Sequence, residues 1–499
     1  MLGRAQPAEI ECTPLPVRPA PPPGPYVVAG LGRAGRAAVG ALSRLAGPDA
    51  VVAWDRAVTK ETRRVQRALE ARGVRTHLGH EVPTVAGPLP ARTLIRSPGI
   101  SIRSRPVREA REAGLEVLDE LELGWRLSRT SILAVTGTNG KSTVAGLATA
   151  LLTASGRRAR LAGNTDFGDP LSRVAAEALD WVVCEVSSYQ LEGCPSLLPD
   201  VAVFTNLTAE HLARHRSMRR YGDAKRRLFV RGETAVPRAI VDVDDPFGRG
   251  LATDVEQRGG TVVRVGFSPD ADYRILSAVW DLRRAAVRVD TPSGEVALET
   301  RLPGAYNARN VAAAVAIADM LEVEPAVAAA TFADHPGPPG RFEHVDEGQG
   351  FAAIVDFAHT PDGIAQFLDA VRAGMSSDGR LRTVFGTAGR TRRPEMHARG
   401  RMARAGSDAL ILTTSGFRGE PPLWALQGHL RGARTVGGAH VEIVLDRRRA
   451  IERALRAAVP GDAVVVVGRG AFTALTADPR GVALPFDDRE VVREILRAP

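Results

Sequence analysis

Lysine is almost missing from this chain. Of 66 basic residues only Lys60, Lys141 and Lys225 are lysine, and the rest are arginine. Where guanidinium has replaced nearly every ammonium, a surviving lysine marks a position at which arginine does not serve. Cysteine is equally scarce: Cys12, Cys184 and Cys194 offer neither a disulfide framework nor the spacing of a metal site. No apolar run approaches the roughly 18–20 residues that cross a bilayer, and the N-terminus lacks the basic-then-apolar pattern of a secretory signal. We therefore expect a cytoplasmic protein without membrane insertion. The long basic runs and interleaved aromatics of a nucleic-acid binder are absent too. The formal charge of +9 comes from scattered arginines, which suit small anionic substrates, and no nucleic-acid partner is expected.

What is present points to several domains, since 499 residues with 44% hydrophobic content exceed one core. Residues 1–25 are rich in proline, with P-A-P-P-P-G-P ahead of Tyr26, and read as a disordered tail. A short apolar strand then leads into G-L-G-R-A-G, with Gly30, Gly32 and Gly35, and the next apolar run ends at Asp55. A GxGxxG turn with an acid about 20 residues later is the dinucleotide fingerprint; alone, it points to an NAD-dependent oxidoreductase. A strand at 93–95 runs into S-P-G-I, with Ser97 and Gly99. Residues 26–128 thus read as an open α/β domain that binds a phosphorylated ligand at its first turn.

The chain is organised around T-G-T-N-G-K-S-T, residues 136–143. An apolar strand precedes it and an Ala- and Leu-rich helix follows, so its backbone N–H groups and the helix N-terminus face an anion. Lys141 supplies a cation and Ser142 or Thr143 a hydroxyl for Mg²⁺. The full P-loop pattern asks for glycine where this chain has Val135. A buried strand at 181–184 delivers Glu185, well placed for Mg²⁺ beside the P-loop strand. Residues 162–170 read as a polar loop, and residues 260–302 alternate in the manner of antiparallel strands. The central P-loop domain is expected to span 129–335. H-P-G-P-P-G-R-F-E, residues 335–343, is a hinge. Over 336–499 strands alternate with helices, which predicts a second doubly wound parallel sheet.

In this order, T-G-T-N-G-K-S-T, E-V-S-S-Y-Q-L-E, N-L-T-A-E-H, the helix carrying Lys225, L-P-G-A-Y-N-A-R-N and G-R-F-E resemble the Mur ligase family. These are the ATP-dependent amide ligases of peptidoglycan precursor synthesis. The resemblance runs over residues 26–497. It implies an α/β protein of three domains: a Rossmann-like N-terminal UDP-binding domain, a central P-loop ATPase domain and a Rossmann-like C-terminal domain. It implies that ATP lies between the last two. Gly137, Thr138, Asn139, Gly140, Lys141, Ser142 and Thr143 would hold its phosphates, and Asn307, Asn310, Arg341 and Asp356 would contact the nucleotide. Lys141, Glu185, His211 and Lys225 take the catalytic positions. Two Mg²⁺ ions are implied, with Ser142, Glu185, His211 and a carbamylated Lys225 as ligands. Carbamylation agrees with the scarcity of lysine, because a primary amine takes up CO₂ and a guanidinium does not. The resemblance also displaces NAD. Gly30, Gly32, Arg33, Gly35, Asp55, Ser97, Gly99 and Asn164 become the expected site for a UDP-sugar-peptide, which a monomeric enzyme would join to a free amino acid.

The two ends resemble different members. G-L-G-x-x-G, Asp55, S-P-G-I and E-V-S-S-Y-Q-L-E resemble the D-glutamate-adding member, although Ala34 stands where a hydroxyl residue is usual. D-Glutamate is therefore the first expectation for the acceptor. The C-terminal domain lacks S-P-A-x-x-S-F-D; its V-D-F-A-H-T-P and P-F-D-D-R-E resemble the member that adds the third residue, diaminopimelate or lysine. That member's D-N-P-R appears as S-G-F-R, which keeps Arg418 as the expected acceptor-binding residue. Its G-K-G-H-E appears as G-R-G-A-F, residues 468–472, so diaminopimelate is expected to be a poor acceptor. A third-residue or specialised-pathway ligase is the alternative.

Overall fold

The computed structural model describes residues 17–79, 91–165, 167–387, 392–417, 421–437, 441–476 and 482–498. Among these, no helix is long and apolar enough to cross a membrane.

The first sheet has five parallel strands. Tyr26–Ala29 sits at its centre, between Val51–Asp55 and Thr93–Arg96, with Arg75–Leu78 and Glu116–Asp119 at the edges. Strand order reverses between Tyr26–Ala29 and Thr93–Arg96, and such a reversal opens a crevice at the strands' carboxyl ends. The G-L-G-R-A-G and S-P-G-I turns both lie there. Gly30 takes a left-handed φ of 93°. A Cβ on Gly35 would stand 1.6 Å from the Gly30 carbonyl oxygen, so only glycine lets the helix Arg33–Ala46 approach this closely.

The second sheet has nine strands. Ser131–Thr136 lies between Trp181–Glu185 and Val201–Phe204, all parallel, with Ala159–Gly163 beyond Trp181–Glu185. The helices Lys141–Ala154 and Ala305–Met320 cover one face; Ala305–Met320 is apolar nearly all round and correspondingly buried. Tyr273–Trp280, Ala285–Thr291 and Gly294–Thr300 are antiparallel, as their alternation predicts. Thr261–Gly266 is not: it runs parallel to Arg238–Asp242, because the helix Pro246–Glu256 returns the chain in the same direction. Alternation encodes a half-buried face and says nothing of direction. The polar loop expected at 162–170 begins later, since Ala162 and Gly163 complete a strand paired with Trp181–Glu185.

The third sheet has six strands, in the order Glu343–His344, Ala352–Asp356, Ala463–Val467, Leu381–Phe385, Ala409–Leu412 and Val441–Ile443. All its pairs are parallel except the first. Ala463–Val467 reads A-V-V-V-V and is buried on both faces, as a central parallel strand must be. This domain packs on the second: Trp280 Nε1 donates to the Ala370 carbonyl at 3.0 Å.

The stretch expected as a tail is held where it is described. Thr93 Oγ1 donates to the Pro23 carbonyl at 2.7 Å, and Tyr26 Oη to that of Pro22 at 3.0 Å. The Arg18 guanidinium reaches the carbonyl oxygens of Ser128 and Thr130, at 2.5 and 2.7 Å, and the buried Asp200 carboxylate at 3.3 Å. Ser128 and Thr130 lie in the connection between the first two sheets, so this one side chain straps the N-terminal arm across that joint. Arg18→Ala should lower unfolding stability by about 1.5–3 kcal/mol, the range for hydrogen bonds to a charged group. Chemical denaturation reads this directly, and an unchanged midpoint would mean that the strap contributes nothing.

Candidate active site

Val135, where the P-loop pattern asks for glycine, is a strand residue in register with Glu185 on one side and Val203 on the other. The strand therefore runs one residue further before the loop turns away. Gly137 and Gly140 then take positive φ values of 156° and 85°. A Cβ on Gly137 would collide with Thr205 Oγ1, and one on Gly140 would stand 2.4 Å from Asn310 Oδ1. The helix Lys141–Ala154 begins immediately after, so the loop's N–H groups and the helix N-terminus share one concavity. Lys141 Nζ donates to the Thr138 carbonyl at 2.8 Å, and Ser142 Oγ to Glu185 Oε2 at 2.7 Å.

Lys225 comes from the helix Met218–Arg226 and is 1% exposed. Its Nζ donates to the Gly137 carbonyl, beneath the loop, and lies 4.5 Å from the centre of the Tyr221 ring. Burial, then the nearby charge of Lys141, push its pKa well below the ordinary lysine value, with Glu210 and Glu185 pulling the other way. The side chain singled out by the lysine count is thus a buried amine whose charged form burial disfavours. His211 has left-handed backbone, φ 57°, and its Nδ1 lies 3.2 Å from Tyr189 Oη. Burial pushes it down to about 4 against the opposing pull of Glu210, so the ring is neutral at neutral pH.

Glu210, which the sequence reading did not single out, occupies the middle of this group. Its buried carboxylate lies 2.8 Å from Nε2 of His359, in the third domain. Burial pushes its pKa up, but His211, His359 and Lys141 together hold it below the usual carboxylate range. Its only signal in the sequence is an acid next to His211. The third domain also meets the loop itself: Asn139 Nδ2 donates to Asp362 Oδ2 at 3.1 Å, and Thr360 Oγ1 lies 3.4 Å from Asn139 Oδ1.

A cavity of 260 Å³ lies at this junction, lined by residues 138–143 together with Asn164, Glu185, Glu210, His211, Arg341 and His359. A narrower one of 60 Å³ adjoins it, lined by Asn139, Gly140, Thr143, Asn307, Asn310, Arg341 and Asp356. Asn310 Nδ2 donates to Asn307 Oδ1 at 3.0 Å, and the Arg341 guanidinium lies 4.1 Å over the Phe357 ring. Asp356 accepts the Phe342 and Ala358 amides at 2.7 and 2.6 Å; burial raises its pKa, opposed by Arg341. The structure thus brings all the expected nucleotide-contacting residues to one junction.

The expected UDP-substrate residues divide into two kinds. Asp55 accepts the Leu31 and Ala57 amides at 2.7 and 2.8 Å, and Ser97 Oγ donates to the Gly30 carbonyl at 3.2 Å; with Gly35 they build the turn. Gly32 and Gly99 face open space, with nothing within 4 Å of an added Cβ. Arg33 donates to the carbonyls of Thr165 and Gly168 in the second domain. Asn164 lies across that boundary, where its amide donates to the Glu185 carbonyl at 2.7 Å. Arg418 lies outside the described residues.

Among the described residues, no group of three or more His, Cys, Asp or Glu could hold a metal unaided. The oxygen donors present, Ser142 Oγ and Glu185, nevertheless fit Mg²⁺, which takes one or two protein ligands and completes its shell with phosphate and water.

The model of the Mur ligase middle domain matches residues 135–318, and that of the Mur ligase glutamate ligase domain matches 340–470. The chain is 33% identical over 392 residues to UDP-N-acetylmuramoyl-L-alanyl-D-glutamate–2,6-diaminopimelate ligase of Syntrophomonas wolfei, covering 73% of this chain and 78% of the relative. It is 35% identical over 402 residues to the ligase of the same description from Streptomyces coelicolor, covering 73% and 76%. UDP-N-acetylmuramate-alanine ligase from Thermotoga maritima shares the fold with a TM-score of 0.60 at 17% identity, covering 90% of this chain and 96% of that one. A pseudomurein peptide ligase from Methanothermus fervidus does so with a TM-score of 0.55 at 15% identity, covering 94% and 99%.

These relatives correct the expectation of closest likeness to the D-glutamate-adding member, since the curated ones named here carry the third-residue description. The physical reason lies in the first turn. Asp55, Ser97 and Gly35 hold the turn's own shape, so they say nothing of which amino acid is added.

Gly32 provides a test of that loop. Its backbone is extended and an added Cβ has no protein atom within 4 Å, so Gly32→Val should fold normally and obstruct only a ligand at the turn. UDP binding, measured calorimetrically, should weaken at least about tenfold, roughly 1.4 kcal/mol, with ATP binding unchanged. Equal weakening of both ligands would place the UDP site elsewhere.

Proposed function

The chain belongs to the Mur ligase family of ATP-dependent amide ligases, and we propose that it joins a free amino acid to the terminal carboxylate of a UDP-sugar-dipeptide, the third-residue reaction of peptidoglycan precursor synthesis. The junction of loop, Lys225 and third domain carries this reading. It gathers in one cavity an anion loop, a cation, a hydroxyl–carboxylate pair and a neutral imidazole. The curated relatives, at 33% and 35% identity, favour the third residue over the second.

In this reading the substrate carboxylate attacks the γ-phosphate of ATP, giving an acyl phosphate and ADP. The amino acid's neutral amine then attacks the activated carbonyl. A C–N bond forms, the bond from the carbonyl carbon to the phosphate oxygen breaks, and inorganic phosphate leaves with the electron pair and takes the proton that the amine gives up. Lys141 and the loop amides hold the phosphates and offset the charge gathering on the transferred group. Mg²⁺, when bound, would add to that charge stabilisation, with Ser142 and Glu185 to hold it. An acyl phosphate hydrolyses readily. The contacts Asn139–Asp362 and Glu210–His359 draw the third domain over the loop, where it limits access of water. Gly32, Gly99 and Arg33 are the groups we assign to the UDP-linked substrate. The dehydrogenase reading of the first turn gains nothing from Asp55, whose carboxylate is engaged by two amides of its own loop.

Phosphate release that requires both UDP-N-acetylmuramoyl-L-alanyl-D-glutamate and an amino acid would support the assignment. Preference for UDP-N-acetylmuramoyl-L-alanine with D-glutamate would move it to the second residue. Lys225 gives a sharper check. An uncharged amine is the form that takes up CO₂, burial and Lys141 both shift Lys225 in that direction, and we assign Lys225 as a carbamate. Lys225→Ala should lose most activity, on the order of 10²-fold or more for a residue acting on the transferred phosphoryl group, and short carboxylates such as formate should restore part of it. Lys225→Arg should be as inactive and gain nothing from formate. Full activity in the arginine variant would rule the carbamate out.

A further inference from the structure

The cavity has two unlike faces, and the difference bears on the acceptor. One face, from the second domain, is the phosphate-transfer face: Lys141, Ser142, Glu185, Glu210 and His211. The loop carrying Asn164 and Thr165 borders it, and Arg33 of the first domain bonds the Thr165 carbonyl, so the UDP-linked carboxylate enters from that side. With the phosphates on the loop and the UDP-linked chain beside it, the third-domain face is left for the incoming amine.

That face is apolar where it is not basic. Phe357 and Phe472 meet edge to face, with ring centres 5.3 Å apart at 90°, and Ala471 and Pro339 continue the surface. The polar groups there are Arg341, stacked over Phe357, His359, paired with Glu210, and Arg469. Arg469 is 3% exposed and donates to the carbonyls of Ser415 and Ala474 at 3.3 and 2.9 Å. Among the described residues, the carboxylates lining the cavity are Glu185 and Glu210, which belong to the opposite face and are bonded to Ser142 and His359. Among the described residues of that face, a second ammonium on the acceptor would meet aromatic carbon and the guanidinium groups of Arg341 and of Arg469, the latter 3.9 Å from the buried Asp488 behind it, and would lose its hydration without a cavity-lining carboxylate to pair with.

We propose that the acceptor is an α-amino acid with an uncharged, apolar side chain, seated against Phe357 and Phe472, and not a diamino acid. This rests on the ligase reading above. It separates the chain from the diaminopimelate ligases to which it is similar.

The test is an acceptor panel with the full-length enzyme, ATP and UDP-N-acetylmuramoyl-L-alanyl-D-glutamate, reading phosphate release and product mass. L-Alanine, L-leucine and L-phenylalanine are compared with L-lysine, diaminopimelate and D-glutamate. The best apolar acceptor should exceed lysine and diaminopimelate in kcat/KM by at least about tenfold, the scale of discrimination when a pocket cannot pair a polar group. Turnover that needs the UDP-dipeptide but is fastest with diaminopimelate, lysine or glutamate would overturn the apolar seat and leave the ligase reading standing. No turnover with any acceptor would overturn both. Phe472→Glu adds a carboxylate to the seat and should raise the lysine-to-leucine ratio of kcat/KM about tenfold or more; an unchanged ratio would count against Phe472 as part of the seat.

Discussion

A loop that turns its N–H groups toward a polyanion must turn its carbonyls away, and those carbonyls need donors of their own. Here three consecutive carbonyls each find one from a side chain. Gly137 receives Lys225 Nζ, Thr138 receives Lys141 Nζ, and Asn139 receives Thr205 Oγ1 at 2.6 Å and Asn206 Nδ2 at 3.1 Å. The donors come from three places: the helix Met218–Arg226, the helix that follows the loop, and the end of the neighbouring strand Val201–Phe204. The loop is thereby fixed before any ligand arrives, and the positions of Lys141 and Lys225 follow from the same constraint. Their closeness has its own effect, since Lys141 is among the causes that depress the Lys225 pKa.

The same loop ties the third domain to the second. Asn139 gives its carbonyl to the second domain and its side-chain amide to Asp362 of the third, so loop shape and domain position share one residue. Glu210 and His359 add a carboxylate–imidazole contact a short way off. In the reaction proposed, an acyl phosphate would be served by such a junction, because the surface that completes the cavity also limits the access of water. The joint between the first two domains is secured differently, by Arg18 from outside the sheets and by Arg33 at the crevice.

Features that depend on contiguous residues were legible in the sequence. The P-loop, Glu185 at the end of its strand, the three α/β units and the antiparallel hairpins all show in local pattern. Lys225 was legible for a different reason: a composition nearly without lysine made its retention conspicuous. Pairing across domains left no such trace. Glu210 and His359 stand 149 positions apart, and neither pattern nor spacing connects them. The direction of Thr261–Gly266 was hidden because alternation reports faces and not polarity. Arg18 sits in a stretch whose composition suggests a free tail, yet one guanidinium with three acceptors holds it. The likeness to the D-glutamate-adding member was read largely from the first turn, whose side chains serve its own geometry. Closure and specificity arise where distant segments meet, so they are the parts that needed coordinates.

The chemistry at the loop is tested most directly by following one oxygen atom. A UDP-sugar-dipeptide whose terminal carboxylate carries oxygen-18 on both oxygens is turned over with ATP and an accepted amino acid, and the inorganic phosphate is analysed by mass. Attack of that carboxylate on the γ-phosphate requires one labelled oxygen to leave in the phosphate and the other to stay in the amide. Phosphate carrying a single oxygen-18, formed together with ADP, is the predicted result. Unlabelled phosphate, or AMP in place of ADP, would contradict phosphoryl transfer to the substrate carboxylate at this site.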